Sequence, residues 1–136
     1  MVRVETKARA RALQLLYAAE SQGRSVSSVV PGLARLTGPE PQVLAQAEAL
    51  ASGVTAEQPA LDELLQAATE HWRLDRLGVV DRNILRLGAY ELRTVRVPPR
   101  VAIDEALWLA HHFGTPQSPA FVNGVLDRIA RNLGRL

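Results

Sequence analysis

Residues 97–133 read VPPRVAIDEALWLAHHFGTPQSPAFVNGVLDRIARNL, two amphipathic segments joined by a polar loop. Pro98 and Pro99 stop the preceding segment and open the next, because proline lacks the amide a helix interior needs yet suits a first turn. Ala102, Ile103, Ala106, Leu107 and Ala110 then recur at helical spacing and predict one apolar face. Gly114 is expected to cap that helix. Ser118 and Pro119 supply an N-cap and a first-turn proline for a last helix to about Asn132, with Val122, Val125, Leu126 and Ile129 inward.

The same period runs back through the chain. Residues 6–22 place Ala12, Leu13, Leu16, Tyr17 and Ala19 on one broad face and end at Gly23. A weaker segment spans Val26 to Leu36, and Thr37 to Pro41 (TGPEP) breaks the chain. Val43, Leu44, Ala47, Leu50, Ala51 and Val54 form the next stripe, closed by Gly53 and by residues 55–59. Pro59 opens a helix through Leu61, Leu64, Leu65 and Ala68. Gly78 separates it from another near Val80–Val95, which packs Ile84, Leu85, Leu87, Ala89 and Leu92. No segment alternates as a strand would. The expectation is an all-α compact bundle of about seven helices in a single domain, residues 1–136. It would hold two packed subdomains of three to four helices, 6–54 and 59–133, with the seam near 55–59.

The absence of cysteine excludes disulfides, thiolate zinc sites and cysteine nucleophiles. No apolar run approaches the ~18 residues of a membrane span, and the start lacks a signal-peptide core, so a cytoplasmic protein is expected. His111 and His112 are adjacent and diverge by about 100°, too far to share a metal on a helix. His71, before Trp72, is read as mid-helix, and all three histidines as surface or partly packed residues. No glycine-rich phosphate loop and no nucleophile elbow occurs. Asp104 and Glu105 read as first-turn acids that complement a helix dipole, and Asp81 as a cap. No catalytic residue, cofactor or metal is expected.

Binding signals are better. Arg3, Lys7, Arg9 and Arg11 stand against Glu5 alone in residues 1–11, net +3; the whole chain carries +2, so the remainder nets −1. On a helix, Arg3, Lys7, Arg11 and Gln14 fall within about 80° of one another. Arg9 points away and is read as snorkelling or near a frayed start. This stripe is either a phosphate-binding face or a solvated helix surface. Lys7 is the one lysine among sixteen cations. In the loop, Gln117 and Ser118 sit beside a helix N-terminus, where free amides attract phosphate. Phe121, in the first turn beyond, is either a base-stacking ring or a core residue. Asn123-Gly124 interrupts a helix with two poor formers, which either close packing at Gly124 or a polar contact by Asn123 would explain.

Three blocks, in order, carry a resemblance. They are Ala12-Leu13-Gln14-Leu15-Leu16-Tyr17, the run DRNILRLGAYEL from Asp81 to Leu92, and the stretch from Val97-Pro98 through Phe113-Gly114 to Ser118–Asp127. Together they resemble the NusB family over almost the whole chain. The resemblance implies a NusB-like all-helical fold and an RNA-binding role in bacterial transcription antitermination. It implies binding of single-stranded boxA leader RNA together with the ribosomal protein NusE. That assembly, with RNA polymerase and other Nus factors, promotes read-through of ribosomal RNA operons. By position, Arg3, Lys7, Arg11 and Gln14 would meet phosphates and base edges. Gln117, Ser118 and Asn123 would add polar contacts, and Phe121 would stack. Asp75, Arg76, Asp81, Arg82 and Leu85 would face NusE, a mixed-charge surface suited to a basic ribosomal protein.

Two other readings stay open. Some ribosomal RNA cytosine methyltransferases carry a NusB-like domain; a chain ending at Leu136 without a cofactor-binding domain favours the free-standing protein. The other is a helical protein-interaction module, homodimeric as in some members of the family, with Phe121 buried and the basic stripe solvated.

Overall fold

The computed structural model of the chain describes residues 2–69 and 74–136. His71 and Trp72 lie outside them. Seven α-helices occur among the described residues: α1 (Val4–Gln22), α2 (Val26–Thr37), α3 (Pro41–Ala56), α4 (Gln58–Ala68), α5 (Val79–Arg93), α6 (Pro99–Phe113) and α7 (Ser118–Asn132). A 3-10 turn at Leu74–Arg76 precedes α5, and the described residues contain no strand. The all-α expectation therefore holds. The chain divides into two compact units, Met1–Ala56 and Glu57–Leu136.

In the first unit α1 packs chiefly on α3 and also on α2, which itself touches α3. The α1 face is small: Ala8 and Ala12 are almost fully buried, as are Ala47 and Ala51 of α3. The buried residues of α1 cover roughly 220° of its circumference at about 100° per residue. The sequence expected a narrower stripe. Leu15, not counted on it, is fully buried, whereas Tyr17 is 52% exposed. Arg9 is buried in mid-helix rather than frayed. The left-handed backbone of Gly23, φ 63°, ends α1: the Gly23 amide donates to the Glu20 carbonyl at 3.4 Å and the Arg24 amide to the Ala19 carbonyl at 3.0 Å. Gly53 does not end α3, which continues to Ala56 because a lone helical glycine costs only about 1 kcal/mol. The weak-looking α2 tolerates Pro31 and starts on a true N-cap, with the Ser25 hydroxyl accepting from the Ser28 amide.

In the second unit α5 is the central helix, in contact with α4, α6 and α7. Every residue from Asn83 to Ala89 is buried, as surrounding helices require. Leu61 and Leu65 of α4, Leu109 of α6, and Val122, Leu126 and Ile129 of α7 complete the core. Arg86 of α5 grips Asp62 of α4 through two parallel bonds, Nε to Oδ1 at 2.8 Å and an Nη2 bond to Oδ2 at 3.0 Å. Near the C-terminus, Arg135 donates to the carbonyls of Leu92, Thr94 and Val97 and so closes the turn after α5. Asp104 and Glu105 fall beyond the first turn of α6, which starts at Pro99, so the dipole account of them does not apply.

Gly88 lets α5 and α7 approach. A Cβ there would lie 2.7 Å and 3.0 Å from the two terminal carbons of Leu126, itself fully buried. Gly88→Ala is therefore expected to cost about 1–2 kcal/mol, overpacking outweighing the gain in helix propensity. Urea unfolding checks this; a variant as stable as the parent would show that Leu126 repacks freely.

Candidate nucleic-acid interface

The exposed arc of α1 is where the sequence placed its basic stripe. Arg3 precedes the helix with an exposed side chain, and its carbonyl accepts from the Lys7 amide at 3.0 Å. Lys7 and Arg11 then converge on one carboxylate. Lys7 Nζ lies 3.5 Å from Glu40 Oε2, and Arg11 Nη2 lies 3.3 Å from Glu40 Oε1. Arg11 also donates to Gln14 Oε1 at 3.0 Å. Lys7, Arg11 and Gln14 thus form one connected polar group, with Glu40 as a fourth member the sequence reading missed. Nothing local announces Glu40, which lies 29 residues beyond Arg11. Lys7 keeps 46% of its side chain exposed, and Arg11 21%. The solvent side of this face therefore carries one carboxylate beside its two cations.

The loop between α6 and α7 is more tightly built than its polar sequence suggests. Gly114 donates its amide to Ala110, yet its backbone is extended, not left-handed. Glycine is required there for space: a Cβ would sit 2.5 Å from Ser118 Oγ and 2.8 Å from the Ala110 carbonyl. Ser118 does not cap α7. Its hydroxyl instead accepts from the Thr115 amide at 2.9 Å and pairs with Thr115 Oγ1 at 3.2 Å, while Thr115 Oγ1 also accepts from the Gln117 amide. Ser118 is buried, 1% exposed, so it shapes the loop and offers no RNA contact.

Gln117 is exposed and Phe121 half-buried, one turn apart on the same side of α7. Gly124 and Arg128 continue that side at helical spacing, and both are exposed. Arg128 was missed by the sequence reading; its seven-residue spacing from Phe121 was the available signal. Asn123 is exposed but roughly 160° away from Phe121 around the helix, so the two do not share a face. Among the described residues no atom of another helix would come within 4 Å of a Cβ on Gly124, so close packing against them is not its reason.

The residues assigned to a protein partner split. Asp75 and Arg76 are exposed in the 3-10 turn, and Asp81 and Arg82 are half-buried in the first turn of α5. Asp81 does not cap α5, whose N-cap is Gly78. Arg82 donates to the Leu77 carbonyl at 3.3 Å, tying that turn to the helix. Leu85 is fully buried, because α5 turns its apolar residues into the core, and it cannot meet a partner. On α6, the Trp108 and His112 rings stack with centroids 3.7 Å apart. His112 Nδ1 lies 2.8 Å from the Trp108 carbonyl one turn earlier, on an exposed side chain. Among the described residues no group of three or more His, Asp or Glu could hold a metal ion, and no helix is long and apolar enough to cross a membrane.

Comparison with known proteins agrees with this architecture. The chain is 48% identical over 129 residues to the transcription antitermination protein NusB of Sorangium cellulosum (strain So ce56), covering 94% of this chain and 92% of that protein. The solved structure of NusB from T. maritima is 34% identical, with a TM-score of 0.78 over 92% of this chain and 90% of that one. A crystal structure of the antitermination factors NusB and NusE in complex with dsRNA is 25% identical, with a TM-score of 0.83 over 97% of this chain and 99% of that one. The NusB family model matches residues 6–131, and the chain belongs to the NusB family.

Proposed function

We propose that this protein is a transcription antitermination factor that binds boxA leader RNA together with NusE and promotes read-through of ribosomal RNA operons. The observation that carries the reading is the arc along α1 formed by the cations Arg3, Lys7 and Arg11 with the neutral Gln14, on a chain of this family. It is supported by the likeness to a NusB solved in complex with NusE and dsRNA, which pairs this fold with NusE and with RNA as a class. It is a binding protein, acting beside the transcription machinery in the cytoplasm, and no catalytic role is assigned to any residue.

The α1 arc supplies phosphate contacts by charge, and these set affinity more than sequence choice. Gln117, Phe121 and Arg128 on α7 supply contacts to unpaired bases, since a ring or a guanidinium plane stacks on any exposed base face. Asn123, on the other margin of that helix, adds a polar contact. Single-stranded RNA is preferred on this account, because a duplex hides the faces Phe121 would use. Asp75, Arg76, Asp81 and Arg82 form the surface for NusE, with mixed charges that favour one register.

The deciding experiment is fluorescence anisotropy of a labelled boxA-like RNA, with and without NusE, at two salt concentrations. Tight, salt-sensitive binding that strengthens with NusE is expected. No binding in either condition overturns the reading and leaves a helical module whose partners are proteins. In the same assay Phe121→Ala is expected to weaken binding by about 1–3 kcal/mol, the contribution of one stacked base. An unchanged affinity with the fold intact by circular dichroism assigns Phe121 to packing alone.

A further inference from the structure

The carboxylate of Glu40 stands between the two cations at the centre of the α1 arc, one oxygen toward each. A phosphodiester would bridge Lys7 and Arg11 in the same way through its two non-bridging oxygens. We propose that Glu40 is a built-in competitor for RNA phosphate, which lowers and sets the affinity of this face. The proposal rests on the reading of α1 as an RNA-binding surface.

Three features support it. The position of Glu40 is fixed by the backbone: it lies between Pro39 and Pro41 at the start of α3, and its carbonyl accepts from the Leu44 amide at 2.9 Å. The contacts themselves are loose. Separations of 3.3 Å and 3.5 Å exceed the ~2.7–2.9 Å of strong charge-assisted bonds, so the carboxylate is exchangeable. Arg11 is also incompletely used. Its Nε is buried with no hydrogen-bond partner among the described residues, and a turn of the side chain toward phosphate would restore that bond. With Glu40 in place, RNA must displace one anion to bind another, and the released carboxylate remains nearby as a like charge.

The test is Glu40→Gln, which keeps the shape and removes the charge. Glu48→Gln is the control, since Glu48 belongs to the same unit and accepts from Ser27 Oγ at 2.8 Å. Binding of labelled single-stranded boxA-like RNA is measured for both, for the parent and for Lys7→Ala/Arg11→Ala, across a salt series. Glu40→Gln is expected to tighten binding about three- to tenfold, the range spanned by one or two partly exposed ion pairs. The logarithmic salt slope should steepen by about 0.7, one more phosphate neutralised. Glu48→Gln should change affinity less than twofold. Urea midpoints confirm that each variant is folded, and Glu40→Asp, which draws the carboxylate back, gives a second, smaller increase.

Unchanged or weaker binding by Glu40→Gln, with Lys7→Ala/Arg11→Ala clearly weakened, overturns the proposal and makes Glu40 a tether between α1 and α3. Equal tightening by Glu40→Gln and Glu48→Gln overturns it too, leaving only a general field. If Lys7→Ala/Arg11→Ala binds like the parent, the reading of α1 as the RNA face has failed instead.

Discussion

Replacing Lys7 and Arg11 together with alanine is expected to weaken single-stranded RNA binding about 30- to 100-fold near physiological salt. A hydrogen bond to a charged group contributes about 1.5–3 kcal/mol. Two such bonds would exceed this loss, but each must first be taken from Glu40, which offsets part of the gain. The double variant also leaves Glu40 as an uncompensated anion on the RNA-facing arc. Its salt dependence should flatten by about 0.7 for each phosphate that is no longer neutralised. Stability should change by less than about 1 kcal/mol, because the pairs are partly exposed. Anisotropy titration at several salt concentrations provides the check, and a weakening of less than threefold would remove α1 from the RNA surface.

Arg86→Ala carries the largest expected effect on stability, a loss of about 2–4 kcal/mol. The side chain of Arg86 is 11% exposed and holds Asp62 through both carboxylate oxygens, joining α5 to α4. Breaking a fully buried pair costs about 3–5 kcal/mol, because the remaining charge is stranded away from water. Asp62, 29% exposed, can partly rehydrate, which lowers the figure. Arg86→Met, which preserves the packed stem, should lose less. The denaturation midpoint at constant slope measures both. A shift worth less than ~0.5 kcal/mol would show that the α4–α5 contact stands on its apolar residues. RNA affinity of the folded protein should not change.

The chain's own periodicity was enough to outline its helices. Pro41, Pro59, Pro99 and Gly23 mark their ends because each acts through its own backbone, and the starts of α2 and α3 were read correctly. The charge arc on α1 was legible for a similar reason. A helix rotates by a constant angle per residue, so residues at positions 3, 7, 11 and 14 must share a side whatever surrounds them. Gly53 and Ser118 were misread because their residue types favour a break and a cap, while packing kept one helix going and turned the other hydroxyl inward.

By itself the sequence determined an all-helical chain, its breaks, a basic arc and the family blocks, since all of these depend on residue type and short spacing. Tertiary structure alone decided what those features meet. It placed Glu40 between Lys7 and Arg11, Asp62 on Arg86, and Arg135 on carbonyls about forty residues earlier. It also sent Leu85 and Ser118 inward and left Tyr17 exposed. Burial and ion pairing belong to neighbours brought together by folding, and no periodic pattern along the chain encodes which residue arrives opposite which.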